Sequence, residues 1–279
     1  MALRLVGRRL FALALLVRPL NLVAIGFAAW VGARLASREI GVATLLVPVM
    51  IGAFGYARND ATDLSADQLN RPLRPVPSGA VSARAASIVA WSALAIAGAL
   101  LLVESHPPVV WGIAIAAALA LYLYSPWLKD RGAAGPLAIA ALTVLAVLWG
   151  AQGAPRFELS LLTGLLAGAA QFARECVKQL EDAPGDETAG RTTWAVRSGS
   201  VVVTRAARMG LIAALLLVPL LKTGGGLDAG RSTIALPAAA LLLLFPLFAL
   251  GAKSPRYRMI SRGIKVALFG GLVALAVSA

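Results

Sequence analysis

Two polar stretches of an otherwise apolar chain hold most of its acidic residues, at spacings that suit a helix. Asp60, Asp63 and Asp67 form the first set, and Asp182 and Asp186 belong to the second. Intervals of three or four residues place side chains on one face of a helix. Crowded carboxylates repel one another and raise each other's pKa unless a cation compensates them. The pattern indicates a site for a hard divalent cation such as Mg²⁺, with two solvated polar loops as the alternative.

Basic residues stand beside both acidic sets. Arg71 and Arg74 follow the first set, and Arg174, Lys178 and Arg191 surround the second. Carboxylates that hold a metal, next to cations that contact phosphate oxygens, are the combination that a diphosphate needs. The sequence contains neither the G-x-x-x-x-G-K-[ST] loop of nucleotide-binding proteins nor an H-E-x-x-H zinc motif. The prediction is therefore a metal and phosphate site of another kind.

The elements that carry these residues must be membrane helices. Of the 279 residues, 59% are hydrophobic and 14% are charged, and the mean hydropathy is +0.80. A soluble domain is about half apolar and about a quarter charged, so this composition excludes a soluble enzyme, a disordered chain and a disulfide scaffold. Cys176 is the only cysteine and cannot form an intrachain disulfide. We expect an all-α, multi-pass membrane protein with one domain over residues 1–279.

Nine apolar runs are long enough to cross a bilayer, because a spanning helix needs about 20 mostly apolar residues. The predicted spans are 19–36, 39–57, 81–103, 108–125, 133–152, 158–177, 200–222, 233–251 and 260–278. Residues 1–17 mix arginines with apolar side chains, which predicts an amphipathic helix on the membrane surface. The acidic sets then fall in two loops, 58–80 and 174–197.

The distribution of Lys and Arg predicts the orientation. With the N-terminus inside, nine spans leave 21 of the 26 basic residues on the inner side, as the positive-inside rule requires. This bias explains most of the net charge of +13 without nucleic acid as a partner. We expect the cell (inner) membrane, with the N-terminus and both acidic loops cytoplasmic and the C-terminus outside. Arg18 and Lys265 would lie at the inner ends of their spans, and His106 would be a structural residue on the outer side.

Three motifs are typical of one enzyme family. Residues 59–67 read N-D-A-T-D-L-S-A-D, and residues 70–79 continue as N-R-P-L-R-P-V-P-S-G. D-A-P-G-D occupies 182–186, and Y-S-P-W-L-K follows the fourth predicted span at 124–129. Together they resemble the UbiA family of intramembrane prenyltransferases, and the resemblance covers nearly the whole chain. It implies a nine-helix bundle with both acidic loops on the cytoplasmic side.

One stretch narrows the resemblance within the family. The run R-E-C-V-K-Q-L-E-D at 174–182, with the following Gly185 and Asp186, resembles members that transfer a geranylgeranyl group to a glycerol-phosphate lipid. Chlorophyll synthases carry a close variant of the 70–79 stretch. Two positions depart from the pattern, because Gln179 stands where an acid is expected and Pro136 where an asparagine is expected. The first departure removes a possible metal or acceptor contact.

The resemblance also implies the reaction and the roles of residues. A polyprenyl group would pass from its diphosphate to an acceptor, with two Mg²⁺ ions bridging the diphosphate. The implied metal ligands are Asn59, Asp60, Asp63, Asp67, Asp182 and Asp186. Of these, the carboxylates implied in catalysis are Asp63, Asp67, Asp182 and Asp186. The implied substrate-binding residues are Asn59, Arg71, Arg74, Tyr124, Lys129, Arg174, Lys178 and Arg191.

The acceptor and the class of protein leave alternatives. The narrower resemblance favours geranylgeranylglyceryl phosphate, in membrane lipid synthesis, over an aromatic acceptor such as 4-hydroxybenzoate, another quinone precursor or a tetrapyrrole. Tyr124 could instead be an aromatic of the membrane interface. A divalent-cation transporter would carry its acids near mid-membrane, whereas nearly all acids here fall in loops on one side. A non-catalytic scaffold would not need paired acidic and basic loops.

Overall fold

The computed structural model describes residues 11–104, 106, 108–154, 157–223 and 227–279, and no strand occurs in these ranges. The first ten residues of the predicted surface helix lie outside them, and residues 11–16 are helical. The α-helices are α1 (Pro19–Leu35), α2 (Val42–Thr62), α3 (Leu64–Asn70), α4 (Ala83–Val103), α5 (Pro108–Leu123), α6 (Ala134–Ala151), α7 (Phe157–Thr188), α8 (Trp194–Thr223), α9 (Ala229–Ala249) and α10 (Tyr257–Ser278).

Each of the nine predicted spans coincides with a helix. Seven of these helices are long and apolar enough to cross a membrane, namely α2, α4, α5 with its π-helical continuation, α6, α8, α9 and α10. Helix α1 has only 17 residues, and α7 is charged over its C-terminal half. The all-helical, multi-pass architecture is therefore confirmed, whereas the number of nine crossings is not established by helix length and composition.

Two glycines let α1 and α6 approach until their backbones touch. A Cβ atom on Gly32 would lie 1.9 Å from the carbonyl oxygen of Val147, and one on Gly150 would lie 1.8 Å from that of Ala29. Small residues allow such contacts between membrane helices, where lipid supplies no hydrophobic drive for association. This contact fixes the position of α1 against the central part of the bundle.

Helix α7 is the element that gathers the polar residues. It packs against α8, α6 and α10, and it also contacts α1 and the short α3. Its 32 residues correspond to about 48 Å at 1.5 Å per residue, which exceeds the roughly 30 Å of a bilayer core. The segment predicted as an acidic loop at 174–197 is therefore helical up to Thr188. The spacing of its acids is preserved on a continuous helix.

Candidate active site

The first acidic motif lies where α2 ends and α3 begins. Asn59 and Asp60 occupy the last turns of α2, Asp63 is the residue between the two helices, and Asp67 lies on α3. All three carboxylate residues are buried, with 1%, 2% and 7% of their surface exposed. Burial of an unpaired carboxylate is strongly unfavourable. Their neighbours must therefore supply positive charge.

Asp63 is held by two cations from distant parts of the chain. Lys129 Nζ lies 2.8 Å from Asp63 Oδ2, and Arg191 Nη1 lies 2.8 Å from Asp63 Oδ1. The π-helical turn Tyr124–Leu128 ends directly before Lys129 and so positions it. The Arg191 guanidinium also donates to the carboxylate of Asp130 at 3.1 Å and to the carbonyl of Ser125 at 2.9 Å. Asp63 thus joins three segments of the sequence.

The two acidic motifs meet through side chains of residues 70 and 71. Arg71 donates to Asp182 Oδ1 at 2.6 Å, and Asn70 Nδ2 donates to Asp186 Oδ1 at 3.2 Å. The close approach depends on Gly185, because a Cβ atom there would lie 2.1 Å from Asn70 Oδ1. We call the resulting group the acidic cluster. It comprises Asp63, Asp67, Asp182 and Asp186 with Arg71, Arg74, Lys129 and Arg191.

Within the acidic cluster, burial raises the pKa of two carboxyls. Burial raises the pKa of Asp67, although Arg74, whose Nη1 lies 2.6 Å from Asp67 Oδ2, opposes this shift. Burial likewise raises the pKa of Asp186 against the opposing charge of Lys129. Both carboxylates would therefore gain from additional positive charge at the site.

A second polar group lies deeper in the bundle, around Glu175. This carboxylate is 4% exposed and accepts hydrogen bonds from Lys178 Nζ at 2.8 Å, Arg174 Nη1 at 3.3 Å and Gln171 Nε2 at 3.0 Å. Arg174 and Lys178 were expected beside the acidic loop residues. The structure instead pairs both of them with Glu175, about two helical turns from Asp182 on α7.

The acidic cluster offers the oxygen donors that Mg²⁺ prefers, but they are not gathered around one point. Among the described residues, no three His, Cys, Asp or Glu side chains lie close enough together to hold a metal ion. The carboxylates are paired with cations instead, and Asn59 Oδ1 accepts a hydrogen bond from Ser125. Asp186 Oδ2 is buried without a hydrogen-bond partner in the described residues. Four carboxylates and one open oxygen fit a hard cation chemically, provided that the cations shift.

The predicted site residues therefore fall into three groups. The acidic cluster contains Asp63, Asp67, Asp182, Asp186, Arg71, Arg74, Lys129 and Arg191. Asn59 and Asp60 border it, and Asp60 is bound by Arg18 with Arg74 3.6 Å away. Arg174 and Lys178 belong to the deeper group, and Tyr124 interacts electrostatically with Glu175 and with Asp63, between the two groups.

Several polar contacts were not anticipated from the sequence. Asn70 and Glu175 lie inside the motifs, and the i,i+3 spacing of Glu175 and Lys178 could have indicated their pairing. Ser125 and Asp130 have no comparable signal, because their partners lie more than 60 residues away. Lys265 donates to Asn21 Oδ1 across the bundle rather than only marking the end of its span.

The two departures from the motif pattern have separate surroundings. Pro136 is buried in the first turn of α6, where proline is tolerated because its missing N–H would have no partner within the helix. Gln179 is also buried, and neither its Oε1 nor its Nε2 has a hydrogen-bond partner among the described residues. Cys176 is buried and free, as expected. His106 lies away from both polar groups, with its Nε2 3.9 Å from Glu104 Oε2.

Comparisons with known proteins agree with this geometry. The model of the UbiA prenyltransferase family matches residues 20–268. The digeranylgeranylglyceryl phosphate synthase of Methanopyrus kandleri is 34% identical over 266 residues, which cover 94% of this chain and 97% of the relative. The enzyme of the same name from Methanothrix thermoacetophila is 33% identical over 267 residues, 92% of this chain and 97% of the relative.

Solved structures give the same fold. A digeranylgeranylglyceryl phosphate synthase structure superposes with a TM-score of 0.74 at 23% identity, covering 97% of this chain and 98% of the other. A UbiA homologue from Archaeoglobus fulgidus bound to GPP and Mg²⁺ gives 0.67 at 17% identity, with 95% and 99% covered. The match of the family model over most of the chain, together with these likenesses, shows that the chain belongs to the UbiA prenyltransferase family.

Proposed function

We propose that the chain transfers a geranylgeranyl group from its diphosphate to the glycerol hydroxyl of geranylgeranylglyceryl phosphate, in membrane lipid synthesis. The relatives that it resembles over nearly their full length carry the name of that synthase. The observation that carries the proposal is the meeting of the two acidic motifs through the Arg71–Asp182 and Asn70–Asp186 contacts. A single acidic and basic group of this kind suits a diphosphate.

Mg²⁺ is the metal that this site would use, as two ions bound with the donor diphosphate. A relative of the same fold was solved with GPP and Mg²⁺, and the donor set here consists of carboxylates and an amide. The ligands would come from Asn59, Asp63, Asp67, Asp182 and Asp186, with Asp60 in support. When bound, the metal would neutralise charge on the diphosphate oxygens as the carbon–oxygen bond breaks.

The cations of the acidic cluster have a second task. Arg71, Lys129 and Arg191 each hold a carboxylate now, and all of them can donate to phosphate oxygens instead. An arriving metal would replace them on the carboxylates and leave them free for the diphosphate. The apolar helices around the site exclude water, which would otherwise trap an allylic cation.

The proposal includes a topology. Nine crossings, with α1 and α7 counted, would put both acidic motifs and the N-terminus on the cytoplasmic side and the C-terminus outside. The distribution of Lys and Arg supports this orientation. The polar head groups would then react at the inner face of the cell membrane, while the isoprenoid tails stay among the helices.

Turnover by purified protein tests the proposal. The wild type should join geranylgeranyl diphosphate to geranylgeranylglyceryl phosphate, and Asp182→Asn should reduce the rate at least about 100-fold, since removal of a transition-state charge contact has effects of that order. Glu39→Gln, which neutralises an exposed carboxylate far from the cluster in sequence, is the matched control and should retain the wild-type rate. Equal rates for all three proteins would refute the role of the acidic cluster.

A further inference from the structure

The deeper polar group around Glu175 contains more positive charge than its carboxylates balance. We call it the basic cluster, and it comprises Arg18, Asn21, Asp60, Arg174, Glu175, Lys178 and Lys265. Asp60 is bound by Arg18, while Glu175 is bound by Lys178 and Arg174. Four cations therefore face two carboxylates. In the acidic cluster the balance is the opposite, because carboxylates equal or outnumber cations once Asp130 and Glu181 are included.

Lys265 has the least compensated charge of the four cations. Its ammonium donates to the amide oxygen of Asn21, and no carboxylate lies within ion-pair distance of it among the described residues. Arg18 and Arg174 are near enough to interact with it electrostatically. Like charges of this kind repel, so holding them together is unfavourable unless an anion joins them.

Arg174 offers a second unfilled position. Its guanidinium contacts Glu175 at 3.3 Å through one terminal nitrogen, and its Nε is buried without a hydrogen-bond partner in the described part of the chain. Buried donors are nearly always paired. An unpaired guanidinium donor and an uncompensated ammonium, in one half-buried group, are the features expected of a site for an anion.

The location of the basic cluster identifies which anion. Glu175 and Asp182 are separated by seven residues on α7, or about 10 Å along the helix axis, so the cluster lies next to the acidic cluster but deeper among the spans. Glycerol has three carbons, and the free hydroxyl of a glycerophosphate ether lies at most two carbons from its phosphate. A phosphate held at the basic cluster would leave that hydroxyl directed toward the donor diphosphate.

We propose that the basic cluster binds the phosphate of the acceptor lipid, with Lys265 and Arg174 as its principal contacts. A phosphate monoester carries close to two negative charges at neutral pH, which matches the excess of two cations. The inference rests on the proposed function for the identity of the acceptor. It separates the roles of the cations, since Arg71, Lys129 and Arg191 then serve the donor while Lys265 and Arg174 serve the acceptor.

Equilibrium binding of radiolabelled geranylgeranylglyceryl phosphate, without donor or Mg²⁺, tests the site directly. Lys265→Met removes the charge but keeps a flexible side chain of similar length, and should weaken binding roughly tenfold, the equivalent of one charge-assisted hydrogen bond. Lys265→Arg should retain most of the affinity. Arg262→Met removes an exposed charge from the same helix and should leave the affinity unchanged.

Two further ligands make the test specific for phosphate. Geranylgeranylglycerol, which lacks the phosphate, should bind the wild type and Lys265→Met equally. Geranylgeranyl diphosphate should likewise bind both proteins with the same affinity. If Lys265→Met and Arg174→Gln both bind the phosphorylated acceptor as tightly as the wild type, or lose the donor to the same extent, the site is refuted. Wild-type protein that binds this acceptor through Lys265 but does not prenylate it would instead refute the proposed function alone.

Discussion

Arg71 and Asp182 are 111 residues apart in sequence, and their side chains lie 2.6 Å apart in the structure. The ion pair connects the loop after α3 to the extended C-terminal half of α7. It is half-buried, with 23% of the arginine side chain and 21% of the aspartate side chain exposed. Because it joins both acidic motifs, it is the contact through which changes in one motif should affect the other.

Gly185 is expected to control the second contact between the motifs. A Cβ atom there would lie 2.1 Å from Asn70 Oδ1, so Gly185→Ala should displace Asn70 and break its hydrogen bond to Asp186. We predict a loss of activity of about tenfold, the equivalent of one hydrogen bond to a charged group, with the helical content unchanged by circular dichroism. Gly98→Ala is the matched control, since nothing lies within 4 Å of a Cβ atom on that helical glycine. Full activity of Gly185→Ala would show that the contact is dispensable.

Asp63 and Asp182 should differ in their contribution to stability. The Asp63 side chain is 1% exposed and compensates two cations, so Asp63→Asn should destabilise the protein by about 3 kcal/mol, as for other broken buried ion pairs. Asp182→Asn, at a more exposed pair, should cost below about 1 kcal/mol. Thermal unfolding in detergent should therefore give a clearly lower Tm for Asp63→Asn than for Asp182→Asn. The reverse order would contradict the assigned burial and pairing.

Gln179 gives a prediction of the opposite sign. Both polar atoms of its amide are buried without partners in the described residues, and an unpaired buried amide is unfavourable. Gln179→Met keeps a similar volume without polar demands, and should raise the stability by about 1 kcal/mol. The Tm of the ligand-free protein measures this, with Gln152→Met as the control because Gln152 Nε2 is bonded to the carbonyl of Trp149. A lower Tm for Gln179→Met would mean that the amide is satisfied in the folded protein.

The contact between α1 and α6 should be the most sensitive to added volume. A Cβ atom on Gly150 would lie 1.8 Å from the backbone oxygen of Ala29, which no rotamer change can relieve. Gly150→Ala should therefore separate the helices and lower the Tm by several degrees, as expected for a loss of about 2 kcal/mol from overpacking. An unchanged Tm would contradict the close approach of these two backbones.

The amino-acid sequence predicts the helices well because each apolar run must form a helix to satisfy its backbone in lipid. It also predicts that Asp182 and Asp186 share a helix face, since their spacing is local. The pairing of Arg71 with Asp182 and of Lys265 with Asn21 could not be predicted, because both depend on how distant helices pack. The expected gathering of carboxylates around metal does not occur in the described residues, since nearby cations pair with them individually.

The acceptor decides the central claim most directly. Purified protein with Mg²⁺ and geranylgeranyl diphosphate should be given geranylgeranylglyceryl phosphate and 4-hydroxybenzoate in parallel, with the products identified by mass spectrometry. We predict that only the glycerophosphate lipid gains a second geranylgeranyl group, and that EDTA abolishes the reaction. Prenylation of 4-hydroxybenzoate alone would contradict the proposed acceptor, and an undiminished rate in EDTA would contradict the use of Mg²⁺.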